Sequence, residues 1–381
     1  MQKRLLNSAD VGETNRARVM RTLYRHGPLS RAALAAQLGV SRATITAIVT
    51  PMLQSRTLEE LPQVAVTKAG GKPPKPLWFG EVRIGAIHLS ETRVDVGLVS
   101  ADGSILELVQ TPFAAEPGED ERELLRARFD EVFGGQKMLG IGVGISGTVN
   151  TVEGRGLVSH RAPVATDYAV GPLLTSWYGV PAVVDLHPRV QCIGDQWFGL
   201  GRELDDFVSL FAGEVMGVGI VQDGRVTRGF EGAGGEAGHM VVDVNGQRCV
   251  CGRIGCWETV ATLPWLREEG RRRGVPVTTV SGLAQLASSG DPVAGELFEA
   301  YGRMLGVGLA NIEQLLGLGS YIVHGAPVQG GDDLRAVIER ELVSGSPRRG
   351  QDPTVLFAEE PDQMTILGCA ALVLSSTYVT V

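Results

Sequence analysis

The sequence predicts an α/β protein in two unlike parts: a small basic helical module over residues 1–80 and a larger body over 81–381. Three observations carry this. Charge is split, because residues 1–80 hold 12 Lys/Arg against 4 Asp/Glu within a chain whose net charge is −8. The body is therefore strongly acidic, and the basic segment reads as an appended module for a polyanion. The pattern also changes, from helical spacing before residue 60 to β-rich hairpins followed by helices from about residue 81. Finally, a strand–turn–strand pattern near residues 83–109 recurs near 207–228, each with a Gly-containing turn, "ADG" and "QDG".

In the first part, a helix is expected from about Asn15 to His26, with Val19, Met20, Leu23 and Tyr24 on one face. "GPLS" breaks it. Ser30 is placed to cap a second helix whose Ala33, Leu34 and Leu38 point inward, and Gly39 ends that helix. Ser41 caps a third, with Ile45, Ile48, Val49, Met52 and Leu53 at core spacing, although Pro51 is expected to end or kink it. Two helices joined by a short Gly-containing turn make a helix-turn-helix. Its third helix would enter the major groove of double-stranded DNA, presenting Ser41, Arg42, Thr44 and Thr46, with Ser30 and Arg31 opening the helix before it. "LEELPQVAVTKAGGKPPKPLWF" then reads as a β-wing whose Lys72 and Lys75 would meet phosphates or minor-groove edges.

In the body, "RIGAIHLSETRVDVGLVSADGSILEL" reads as strands in hairpin, "ERELLRARFDEVF" as an amphipathic helix, and "MLGIGVGISGTV" as a buried strand entering a glycine turn. "VPAVVDLH" is a further strand, and "FVSLFAGEVMGVGIVQDGRVTRG" repeats the hairpin. A duplicated hairpin unit with interleaved helices is the plan of the two-lobed, actin-like fold. The expected boundaries are 81–195 for the first lobe and 196–381 for the second, with the C-terminal helix packing back on the first. No apolar run reaches the roughly 18 residues of a membrane span, and the N-terminus lacks the apolar core of a secretory signal. The expectation is a cytoplasmic protein without membrane insertion.

Three stretches carry a resemblance over nearly the whole chain: "GVGISGTVNTVEGRGLVSH", "GGEAGHMVVDVNGQRCVCGRIGCWETVA" and "YIVHGAPV". With "SRAALAAQLGVSRATITAIV" and "GGKPPKPLWF" before them, the chain resembles the ROK family of repressors, open reading frames and kinases. The resemblance implies a winged helix-turn-helix followed by a sugar-kinase-type, ribonuclease H-like body. It places Glu236, His239, Cys249, Cys251, Cys256 and Glu258 on the family's Glu/His–Cys-x-Cys–Cys-x-Glu pattern. His239 and the three cysteines supply one imidazole and three thiolates, a closed tetrahedral set for Zn²⁺. Such a site is structural rather than catalytic. Cys192 and Cys369 read as ordinary buried residues. The resemblance also turns Glu236, His239 and Glu258 toward a sugar, with His187 beside them. The glutamates could instead brace the zinc loop.

Two departures oppose kinase chemistry. Where the family has a glycine-rich phosphate turn, this chain has "HLSET", with His88, Ser90 and Glu91 in place of the acid and the glycines. Where the family has its catalytic aspartate, the chain has "DLHPR", which places His187 there and Leu186 on the neighbouring asparagine. A slip of register would bring Asp185 into play. No ATP is expected. The reading is a transcriptional regulator, a repressor by resemblance, binding a double-stranded DNA operator as a homodimer or homotetramer and sensing a sugar or sugar derivative. Control by a protein partner, an active kinase, and an activator are the alternatives the residues leave open.

Overall fold

The computed structural model describes residues 9–62, 75–90, 93–112, 121–158, 167–229, 232, 234–347, 350–359 and 361–376. The chain opens with α1 (Ala9–His26), α2 (Arg31–Leu38) and α3 (Arg42–Gln54). Ser30 and Ser41 cap α2 and α3 by accepting the Ala33 and Thr44 N–H groups, and Gly39 closes α2 at φ 65°. These are the stop and start signals the sequence carries. Helix α1 begins earlier than its apolar spacing indicates. Helix α3 runs on through Pro51 for another turn, so the proline does not end it. Strands β1 (Leu58–Glu60) and β2 (Leu77–Phe79) pair antiparallel as the base of a wing.

Two five-stranded sheets of the same plan follow. The first holds β3 (Arg83–Leu89), β4 (Arg93–Ser100), β5 (Ile105–Pro112), β6 (Met138–Ile145) and β9 (Ala182–Leu186) in the order β5-β4-β3-β6-β9. Between β5 and β9 lie α4 (Glu121–Phe133), the small hairpin β7 (Thr148–Asn150) and β8 (Arg155–Val158), and α5 (Val170–Tyr178). Helix α6 (His187–Trp197) leads to the second sheet. That sheet holds β10 (Phe207–Ala212), β11 (Met216–Gln222), β12 (Arg225–Val226), β13 (Ser320–Gly325) and β14 (Thr354–Phe357) in the order β12-β11-β10-β13-β14. In both sheets three antiparallel strands are extended by two parallel ones. The duplication visible in the hairpins therefore extends to whole sheets.

Helices α7 (Leu263–Arg273), α8 (Val280–Ser288), α9 (Pro292–Leu316) and α10 (Gly331–Gly345) cover the second sheet. The last helix, α11 (Pro361–Ser376), returns to pack on α6, β3 and β6. It crosses α6 at very close range. A methyl group on Gly368 would overlap the Val190 carbonyl, and one on Gly194 would overlap the Met364 carbonyl.

The head is not a separate core. Val19, Met20, Leu23, Leu34, Ile45, Val49 and Met52 are buried in one cluster with Phe79, Ile84, Ala86, Val99 and the apolar face of α11. Each of the Val, Leu, Ile, Met and Phe side chains contributes about 1.5–3 kcal/mol by burial. The Tyr24 hydroxyl donates to the Ala101 carbonyl in the β4–β5 turn. Its ring stacks on Phe79 at 4.1 Å and meets Phe198 edge-on at 4.9 Å.

Candidate functional site

The DNA-facing candidates sit where two helices meet at 117°, within the roughly 90–120° of helix-turn-helix pairs. Ile45, Val49 and Met52 bury one edge of α3, and Arg42, Ala43, Thr46, Ala47 and Thr50 lie exposed on the other. Arg42, Thr44 and Thr46 were singled out from sequence; Ala43, Ala47 and Thr50 share the exposed edge of Arg42 and Thr46. They are the complement of the apolar stripe and could have been found by that rule. Ser41 is engaged in capping, and its Oγ lies 2.8 Å from Thr44 Oγ1. Ser30 caps α2 in the same way.

Arg31 and Lys75 converge on Glu60, at 2.7 and 2.9 Å. Hydrogen bonds from Lys75 and then Arg31 hold the Glu60 carboxyl below its ordinary value. Exposed pairs of this kind are worth about 0–1 kcal/mol, so either cation can exchange its carboxylate for a phosphate. Lys72 lies outside the described residues.

His239, Cys249, Cys251 and Cys256 come together, with one ligand atom from each within 4.8 Å of all the others. Cys249 Sγ is 3.5 Å from His239 Nδ1, and Cys251 Sγ is 3.6 Å from Cys256 Sγ. Sulfurs held at about 2.3 Å from one tetrahedral zinc stand at such a spacing, whereas a disulfide would need about 2.0 Å. The backbone builds the loop. Cys249 N–H donates to the Arg253 carbonyl and Gly255 N–H to the Gln247 carbonyl, each at 2.8 Å. Gly255 sits at φ 73°, where any side chain would collide with the Asp243 carbonyl. Burial pushes the Cys249 thiol up to about 12. Burial also acts on Cys251, but the Arg253 N–H and the neighbouring thiols outweigh it and lower that thiol. The cluster thus favours giving up a proton at its more open sulfur. Trp257, which sequence reading passed over, anchors the loop: its indole N–H donates to the Met304 carbonyl at 2.7 Å, and its ring lies where a side chain on Gly308 would be.

Beside this loop lies a cleft with about 730 Å³ of empty space, part of it open to solvent. Glu236, His239, Val250 and Glu258 line it from the cysteine-rich loop, Ser146 and Gly147 from the end of β6, Leu186, His187 and Pro188 from the start of α6, and Phe211, Val215 and Met216 from the β10–β11 hairpin. His187 stacks on His88 at 4.4 Å and meets Phe211 at 5.7 Å. Burial, with His88 and His324 beside it, holds His187 well below the ordinary imidazole value. A neutral imidazole so reluctant to take a proton is a weak general base. Asp185 is engaged elsewhere. Its oxygens accept Arg189 at 2.6 Å, the Leu186 N–H at 2.7 Å and Arg228 at 2.8 Å. His88 is buried with its Nδ1 3.2 Å from Asp95, and Ser90 closes the β3–β4 turn on Arg93. Glu91 lies outside the described residues. A second buried group missed by sequence reading ties α6 to the second sheet: Asp195 Oδ2 lies 2.6 Å from Ser209 Oγ and 2.8 Å from His324 Nε2.

The family model described as "ROK family" matches residues 84–376, and that of the MarR family matches residues 14–56. The xylose repressor of Caldicellulosiruptor bescii is 23% identical, with 97% of each chain covered. A solved ROK family transcriptional regulator, a homologue of the E. coli MLC protein, superposes with a TM-score of 0.77 at 24% identity, over 97% of this chain and 98% of that one. A ROK family glucokinase from Streptomyces griseus, solved with glucose and AMPPNP, superposes with a TM-score of 0.65 at 24% identity, over 76% of this chain and 98% of that one. The kinase thus shares the body and the regulator shares the body and the head. With a family match that spans both lobes, the chain belongs to the ROK family.

Proposed function

We propose that the chain is a sequence-specific DNA-binding transcriptional repressor whose kinase-type body senses a sugar or sugar derivative. One observation carries the reading: α3 is capped and bedded on its apolar edge, leaving its Arg42–Thr46–Thr50 edge exposed on a body of the ROK fold. The full-length likeness to a xylose repressor supports the sign of regulation and a sugar as effector. A two-fold assembly, dimer or tetramer, would pair two heads on a palindromic operator. A cytoplasmic site of action follows from that role.

Zinc on His239, Cys249, Cys251 and Cys256 would be structural. All four ligands come from the protein, so no position is left for water or substrate. It would hold Glu236 and Glu258 in place beside the cleft. Phosphotransfer is not the proposed activity. His187 stands as a weak base, Asp185 is held in two ion pairs, and Ser90 closes the turn where the family's phosphate glycines would be.

Helix α1 supplies the link between cleft and head, because it touches both lobes. Tyr24 bonds the Ala101 carbonyl of the first. Arg25 pairs with Glu203 at 3.9 Å, and Arg21 lies against Gly224 and Asp205 in the second. Burial, with Arg25 beside it, lowers Arg21 to about 10 against the pull of Asp205. A ligand that favours one lobe arrangement would shift α1, and it acts only through its difference in affinity for the two arrangements.

The test is to select binding sites from fragmented genomic DNA with the purified protein, with and without a panel of sugars. A palindromic site released by one compound supports the reading. A specific site indifferent to every sugar would move control to a protein partner, and the absence of any specific site overturns the proposal.

A further inference from the structure

The edge of α3 that faces away from the core is rich in methyl groups. Ala43, Thr46, Ala47 and Thr50 lie exposed at i, i+3, i+4 and i+7, the spacing of one helix face. Both threonine hydroxyls turn back on the helix. Thr46 Oγ1 donates to the Arg42 carbonyl at 2.9 Å, and Thr50 Oγ1 donates to the Thr46 carbonyl at 2.7 Å. The γ-methyl is then the remaining heavy atom on each Cβ. Hydroxyls at the helix start are engaged as well, since Ser41 Oγ accepts the Thr44 N–H at 3.0 Å and lies 2.8 Å from Thr44 Oγ1. Arg42, one turn before Thr46 and exposed beside it, brings a fork of donors. Gln54, the other hydrogen-bonding side chain on this edge, ends the helix a turn beyond Thr50, whereas recognition helices meet base edges with their N-terminal residues. In the major groove thymine alone carries a methyl group, and guanine offers N7 and O6 as two acceptors to an arginine fork. A methyl-covered face gains by touching the thymine C5-methyl, and it would desolvate a polar base edge without replacing its water. From Ala43 to Thr50 the helix rises about 10 Å, the length of about three base-pair steps.

Resting on the DNA-binding reading, we infer that α3 reads thymine C5-methyl groups with the methyls of Thr46 and Thr50, flanked by Ala43 and Ala47, next to a guanine read by Arg42. The threonines act through carbon, and their hydroxyls serve the helix. An operator half-site therefore carries a guanine with thymines, on either strand, within about three base pairs of it.

Anisotropy titrations of the full-length protein test this on a duplex recovered by genomic selection. Each thymine is replaced in turn by deoxyuridine, which removes the methyl and leaves the hydrogen-bonding edge unchanged. Thymines beside the guanine should each lose about fourfold in affinity, the value of one buried methyl-sized group. Two substitutions at each threonine, checked by melting curves, then separate carbon from hydroxyl. Thr46→Val and Thr50→Val keep a methyl and should bind as the parent does. Thr46→Ser and Thr50→Ser keep the hydroxyl and should lose about fourfold on the thymine duplex, with no further loss on the matching deoxyuridine duplex. The reverse pattern, binding kept by serine and lost by valine, overturns the inference and returns the reading role to the hydroxyls. Specific binding indifferent to deoxyuridine and to all four substitutions overturns it too, and in both cases DNA recognition by the chain stands. If selection recovers no specific duplex, the DNA-binding reading itself falls, and this inference with it.

Discussion

Arg42 is the residue on which sequence preference should depend most. It sits at the first turn of α3, exposed, with Ser41 fixing the helix start beside it. Arg42→Ala is expected to cost about 1–3 kcal/mol on the preferred site and to relax its base preference. Anisotropy titrations on matched and mutated duplexes would check this, and unchanged specificity would remove α3 from the groove. At the metal, Cys256→Ala should abolish stoichiometric zinc in elemental analysis and lower the melting temperature, because zinc binding is coupled to ordering its loop. The pH dependence follows from proton competition. Cys249 is held up at about 12 without metal, so zinc must displace its proton. Affinity should rise with pH and fall on acidification, as a zinc indicator titration would show. The caps and the clustering of His239 with the three cysteines were legible because local patterns mark them: a Ser before an apolar stripe, and three cysteines within eight residues with a histidine ten residues before the first. The Arg31–Glu60–Lys75 cluster was not, since the pairing of β1 with β2 brings together residues distant in the chain.

At the level of elements, the joint of the molecule is the α6–α11 crossing. Gly368→Ala would press a methyl group into the Val190 carbonyl. It should destabilise by about 1–3 kcal/mol, the usual cost of overpacking, read as a fall in denaturation midpoint. Helix α1 is the second joint. Burial, with Asp102 nearby, raises the Tyr24 phenol well above its ordinary value, so it stays a donor to Ala101. Tyr24→Phe keeps the stack on Phe79 and removes that bond. The expected outcome is retained DNA binding with a smaller ligand-induced change in affinity, measured by titration with and without effector. Strands were legible as short apolar runs bounded by turn signals and helices as stripes, and the repeated hairpins foretold the repeated sheets. The docking of α1 was not, because Tyr24, Ala101, Glu203 and Gly224 share no local pattern. Pro51 does not end α3: the packing of Ile45, Val49 and Met52 carries the helix past it.

On the scale of the whole molecule, a basic head rides on the joint between two acidic lobes, and a cleft flanked by the His239/Cys249/Cys251/Cys256 cluster lies between those lobes. Composition anticipated the charge split, and the motifs anticipated the lobes. Neither could reveal that head and first lobe share one apolar core. That continuity matters for function, because a head packed into the body cannot ignore a change in lobe arrangement. A repressor of this kind requires specific DNA binding by the intact chain. Its most direct test is equilibrium competition between a duplex recovered by genomic selection and a scrambled duplex of equal length and composition, at about 0.15 M salt. A sequence-specific repressor should prefer the selected duplex by at least about 10³-fold; equal affinity for the two would rule out that role.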